Sequence, residues 1–171
     1  MISKNILSDL IFITLLATFQ IVVLNRMVIR AFGHEYIPVM YPVFVLFYPF
    51  FRNRYVFLLL SFLLGLSIDM HLGTWGINSF ATTAVAYFRT IIFRTSTEST
   101  TDFFSFQSLQ WGQFILFILL SIFIHQGLVQ FLEFFKPSRF FEILLNITIT
   151  SLISFCIILL YALAFKIKEK V

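Results

Sequence analysis

One carboxylate lies where a carboxylate is costly. Asp69 falls inside a long apolar stretch and shares a four-residue spacing with Ser61, Gly65 and Gly73. On a helix that spacing puts the four on one face. A charged group at such a depth needs a partner, water or a proton, and intramembrane positions of this kind mark functional sites. The glycines alone also fit a packing seam, because small residues let helices approach closely. Two further polar stripes have the same character. Gln126, Gln130 and Glu133 share a face, with His125 beside them, and Glu142, Asn146, Thr150 and Ser154 recur every four residues.

Catalytic chemistry finds little to work with. His34, His71 and His125 are scattered without metal-ligand spacing, and His71 lies two residues from Asp69, on a different side of a helix. No nucleophile elbow, phosphate-cradling glycine loop or CxxC pair occurs. Isolated histidines of this sort are expected at an interface. Cys156 lies within an apolar run and reads as a small buried hydrophobe. No cofactor or metal is expected.

The elements that must hold these groups are membrane helices. Of 171 residues, 60% are hydrophobic and 12% charged, and 25 are phenylalanine. A soluble domain carries about 25% charged residues, so this surface is built for lipid. The apolar runs are continuous and approach the roughly twenty residues a spanning helix needs, whereas a barrel strand would alternate in polarity. Spans are expected at about 6–25, 37–51, 54–72, 76–93, 112–133 and 141–165, forming one polytopic all-α domain. The run from Ile6 to Leu24 is longer than a signal-peptide core and is expected to stay as a span. The second span is short and carries Pro38, Pro42 and Pro49, so it is expected to be kinked or re-entrant.

With six spans and the N-terminus inside, the inner side holds Lys4, Arg52, Arg54, Arg89, Arg94, Lys166, Lys168 and Lys170, and the outer side holds Arg26, Arg30, Lys136 and Arg139. Basic residues favour the cytoplasmic side, which places both termini in the cytoplasm. The C-terminal lysines suit an anionic membrane surface, not nucleic acid. The connection from Thr95 to Gln110 would then be cytoplasmic, opening as a Ser/Thr run and closing on Phe103, Phe104, Phe106 and Leu109 ahead of Trp111. It reads as a linker or as an interfacial docking segment.

In this topology Asp69, Asn78, Gln126, Gln130 and Asn146 lie in the outer half of the membrane. They form either interhelical hydrogen bonds or a polar cavity opening outward. Arg89 lies on the order of 15 Å from Asp69 in depth and is expected to snorkel to the inner interface. Arg26, Arg30 or Asn78 are the expected partners of Asp69, with an Arg26 pair as the specific hypothesis.

The stretch PVFVLFYPFFRNRYVFLLLSFLLGLSIDMHLGTWGINSFATTAVAYFR, residues 42–89, resembles the signature region of MreD, the rod-shape-determining membrane protein family. That pattern joins a proline-bearing second span, a basic turn, G-L-x-x-D with a glycine-rich turn, and a small-residue helix ending in arginine. Its counterparts are Gly65, Leu66, Asp69, Gly73 and Gly76, then Ala81, Ala84, Ala86 and Arg89. The Gly73-Thr74-Trp75-Gly76 turn departs from the commoner pattern, in which leucine precedes the second glycine. The resemblance implies a fold like the S component of energy-coupling-factor transporters. It implies a non-enzymatic scaffold of the bacterial elongation machinery in the inner membrane, maintaining cell shape and organising lateral peptidoglycan synthesis. The implied partners are MreC, RodA with its penicillin-binding transpeptidase, and MreB filaments. The alternative is a small-molecule-binding subunit of a transporter.

Overall fold

The structure is a computed structural model that describes residues 2–31, 33–49, 53–97, 106, 109–133, 140–165 and 167, with the side chains of 2–5, 31 and 91–97 outside the description. Most of the basic residues in the charge count, and most of the 95–110 connection, fall outside it.

The chain is mostly helical: α1 (Ile2–Val22), α2 (Val43–Phe47), α3 (Arg54–Leu72), α4 (Ile77–Thr97), α5 (Trp111–Glu133) and α6 (Phe140–Ala164). Four stretches are long and apolar enough to cross a membrane: Ile6–Arg26, Arg54–Leu72, Trp111–Glu133 and Phe140–Ala164. α4 is as long as α1 but more polar. Large side chains such as Leu15 and Leu160 lie more than half exposed on the outer faces. Helices that turn apolar groups outward are matched to lipid, so the chain is a multi-pass membrane protein in contact with the bilayer. The all-α expectation omits one feature. Ile29–Ala31 and His34–Tyr36 form a small antiparallel hairpin, turned at Gly33 with a positive φ of 78°. Its Arg30–Glu35 ion pair is exposed and contributes little, about 0–1 kcal/mol.

The proline-rich segment after the hairpin forms the centre of the molecule. Gln20 on α1 fixes its start: Nε2 donates to the Pro38 carbonyl at 3.0 Å, and Oε1 accepts from the Met40 amide at 2.8 Å. Tyr48 fixes its other end by donating its hydroxyl to Asp9 Oδ2 at 3.0 Å. Gln20 and Asp9 are eleven residues apart on α1, a rise of about 16 Å. The segment therefore runs antiparallel to α1 over most of its length. α2 begins just after Pro42 and stops before Pro49, because Pro49 forces Tyr48 into extended backbone (ψ 135°). Such irregular backbone is stable at membrane depth only inside protein, and Val43, Phe44, Val45 and Leu46 are all 2% exposed or less. Phe44 and Val45 pack with α1, α3 and α4. Val43 and Leu46 pack with α5 and α6.

Candidate functional site: the Asp69 brace and the adjoining cavity

α3 closes on Gly73, which adopts a left-handed φ of 70° and donates its amide to the Asp69 carbonyl. The turn brings the start of α4 back over the Asp69 side chain. Oδ1 accepts from the Thr74 hydroxyl at 2.6 Å, the Asn78 amide at 2.9 Å and Asn78 Nδ2 at 3.0 Å. Oδ2 accepts from the Ser79 amide at 2.8 Å and its hydroxyl at 2.5 Å. Asn78 and Ser79 are the second and third residues of α4, whose amides have no partner within the helix. Asp69 thus caps α4 from the neighbouring helix, and the helix dipole favours its negative charge there. One turn earlier on α3, Gly65 permits the close approach. A Cβ built on it would lie 2.5 Å from the Ser79 Cα. Gly65 and Asp69 therefore act together, as a contact and a clamp between α3 and α4.

The clamp orients a further network. Asp69 only accepts, so Nδ2 of Asn78 faces it and Oδ1 faces away, assigned by the hydrogen bonding. The Tyr41 hydroxyl donates to that Oδ1 at 2.7 Å. Its oxygen also lies 3.2 Å from His125 Nε2, which by the same logic carries the ring proton. His125 Nδ1 is then a buried acceptor with no partner.

Beside this network, at the Asp69 end of the bundle, lies a cavity of about 290 Å³. Gln20 and Asn25 line it from α1 and the turn after it, Thr74 and Asn78 from the brace, Gln126, Gln130 and Glu133 from α5, and Thr150 from α6.

Of the residues singled out in the sequence, Gly65, Asp69 and Asn78 are joined in the brace. Asn78, Gln126 and Gln130 face the cavity. Asn146 does not line it and is half-buried, with Oδ1 unpaired, while Ser154 on the same stripe accepts from the Val39 amide at 2.9 Å. Gly73 and Gly76 supply positive-φ turns. Four expectations are corrected. Cys156 is exposed, not buried. The Arg26–Asp69 pair does not form, because the Asp69 oxygens are filled by α4 and its turn; Arg30 pairs instead with Glu35. Arg89 does not snorkel: it is 4% exposed, donates to the Tyr48 carbonyl, and lies over Phe57 at 5.1 Å and Phe106 at 5.7 Å. Desolvation is offset there by the carbonyl and the ring faces. His125 is no interface residue, being 1% exposed at the core of the network. Sequence patterns also passed over Gln20, Tyr41, Asp9 and Tyr48. Gln20 and Asp9 carried a signal, since both interrupt the first apolar run.

The arrangement positions helices. Among the described residues, no group of three His, Cys, Asp or Glu side chains could hold a metal ion. No family model, curated protein or solved structure matches the chain.

Proposed function

We propose that the chain is a non-enzymatic membrane scaffold of the MreD kind, organising cell-wall elongation through an MreC-like partner. The observation that carries this reading is the use made of Asp69. Five hydrogen bonds from α4 and its turn fill both carboxylate oxygens, at 2% exposure. A carboxylate so engaged is a poor general base and a poor direct contact for a partner. It stiffens the 73–76 turn, and that turn holds Trp75 out at 99% exposure, near Met70 at 78%. A rigidly mounted aromatic side chain is a common interface anchor. The contact with a protein partner is therefore assigned to Trp75 and not to Asp69.

Counting α4 and the segment from Ile37 to Pro49 as crossings gives six spans. The basic-residue bias then puts both termini in the cytoplasm and the Trp75 turn on the outer side of the inner membrane. RodA, its transpeptidase and MreB would be reached through MreC or from the cytoplasmic face. A photo-crosslinking residue at position 75 tests the contact in cells. Capture of a periplasmic coiled-coil protein of the MreC type supports it, and labelling by lipid alone contradicts it.

The cavity favours a second reading, a small-molecule-binding subunit resembling the S components of energy-coupling-factor transporters. Depletion that abolishes uptake of a nutrient while leaving cell shape unchanged would favour that reading.

A further inference from the structure

The scaffold reading has no use for the cavity at the Asp69 end, yet the cavity is built like a receptor. Gln126 is 2% exposed and makes no hydrogen bond among the described residues, and its side chain lines the cavity wall. One turn along α5, Gln130 also lines the cavity and carries a buried Oε1 with no partner. Asn25, also on the lining, carries in Nδ2 a second buried polar atom without a partner. A buried amide group left unpaired is destabilising, because it has lost its water without gaining a partner. Interhelical packing explains none of the three, because packing would pair them.

The lining also has a definite charge character. Glu133 stands exposed at the rim of the α5 stripe, and Glu35 faces it from the hairpin, while no lysine or arginine is among the lining residues. An anion would meet the Glu133 carboxylate, while the Glu35 carboxylate is already paired with Arg30 at 2.9 Å. An ammonium group would find Glu133 and the Gln130 oxygen one helical turn apart, with hydroxyl or amide groups on the same molecule reaching the Gln126 amide and Asn25 Nδ2. At about 290 Å³ the space lies at the small end of ligand pockets, holding about ten waters' worth of volume at roughly 30 Å³ each.

We infer that this cavity binds a small organic ammonium compound carrying hydroxyl or amide groups, with Glu133 and Gln130 holding the cation and Gln126 reading the neutral end. The site is independent of the scaffold reading: a scaffold can hold such a ligand as a structural or sensory group, and a transport subunit would require one.

The test uses the purified full chain in detergent at constant ionic strength, following thermal unfolding against 2-amino-1,3-propanediol and ethanolamine as probes. Glycerol, which lacks the ammonium, and lactate, which reverses the charge, serve as controls. The expected result is a saturable rise in the unfolding midpoint with the amines and none with glycerol or lactate. Glu133→Gln, at an exposed position, should weaken the apparent affinity at least tenfold. Gln126→Leu should abolish the response while leaving the unliganded protein folded, since it removes an unpaired buried amide. No amine response in the wild-type chain, an equal response to glycerol, or a response that survives both substitutions would each overturn the assignment. None of these outcomes bears on the cross-link at position 75, so the two readings fail separately.

Discussion

Oδ2 of Asp69 on α3 accepts from both the backbone amide and the hydroxyl of Ser79 on α4, at 2.8 and 2.5 Å. A side chain from one helix thereby supplies the N-terminal cap of the next. The arrangement predicts that Asp69→Asn harms the protein without blocking membrane insertion. An amide in place of Oδ1 or Oδ2 turns a donor toward donors already in position. The expected loss is at least about 2 kcal/mol, because hydrogen bonds to a charged group contribute about 1.5–3 kcal/mol each. Thermal unfolding of the detergent-purified variant, compared with its yield in the membrane fraction, measures both parts.

Gly65 and Gly73 belong to one motif but do different work, and alanine should separate them. At Gly65 a Cβ meets the Ser79 backbone at 2.5 Å, so Gly65→Ala must push α3 and α4 apart, costing roughly 1–3 kcal/mol. At Gly73 the space is open and only the positive φ is unfavourable, a penalty of about 1–2 kcal/mol. Gly65→Ala should also release the Asp69 clamp, seen as faster hydrogen exchange at the Asn78 and Ser79 amides. Gly73→Ala should leave that exchange nearly unchanged.

Arg89 is expected to tolerate lysine poorly. The guanidinium reaches the Tyr48 carbonyl and lies over the Phe57 and Phe106 rings together, a planar geometry that an ammonium cannot reproduce. Arg89→Lys should lower stability by about 1–2 kcal/mol. Limited proteolysis near Pro49 should speed up, because the carbonyl that Arg89 holds ends the central segment.

Much of this arrangement was legible beforehand. The long helices were plain because continuous apolar runs leave few other structures in lipid, and the four-residue spacing of Ser61, Gly65 and Asp69 did put all three on the buried face of α3. The central segment was legible only as an anomaly. Three prolines flagged broken helix, but its path along α1 depends on hydrogen bonds from Gln20 and Asp9, which no local pattern encodes. Arg89 misled for a related reason. Snorkelling is the default for a lone arginine near a helix end, and only the fold supplies a bent segment whose free carbonyl competes with water. Within the cavity, spacing placed Gln126 and Gln130 correctly because they share a face of one straight helix. Asn146 shares a face of α6 with Thr150 but lies one turn, about 6 Å, away along the helix, and the lining includes Thr150 and not Asn146.

Trp75 should matter to function without mattering to the fold. At 99% exposure, Trp75→Ala is expected to change stability by less than about 0.5 kcal/mol. Copurification of the proposed MreC-like partner should nevertheless drop several-fold.

The central claim is tested most directly by depleting the chain in its own cells, re-expressing either the wild type or Trp75→Glu, and imaging shape. The scaffold account predicts rounded or swollen cells on depletion, rescue by the wild type, and no rescue by the variant at equal membrane abundance. Cells that keep their shape on depletion while losing uptake of a small molecule would contradict it.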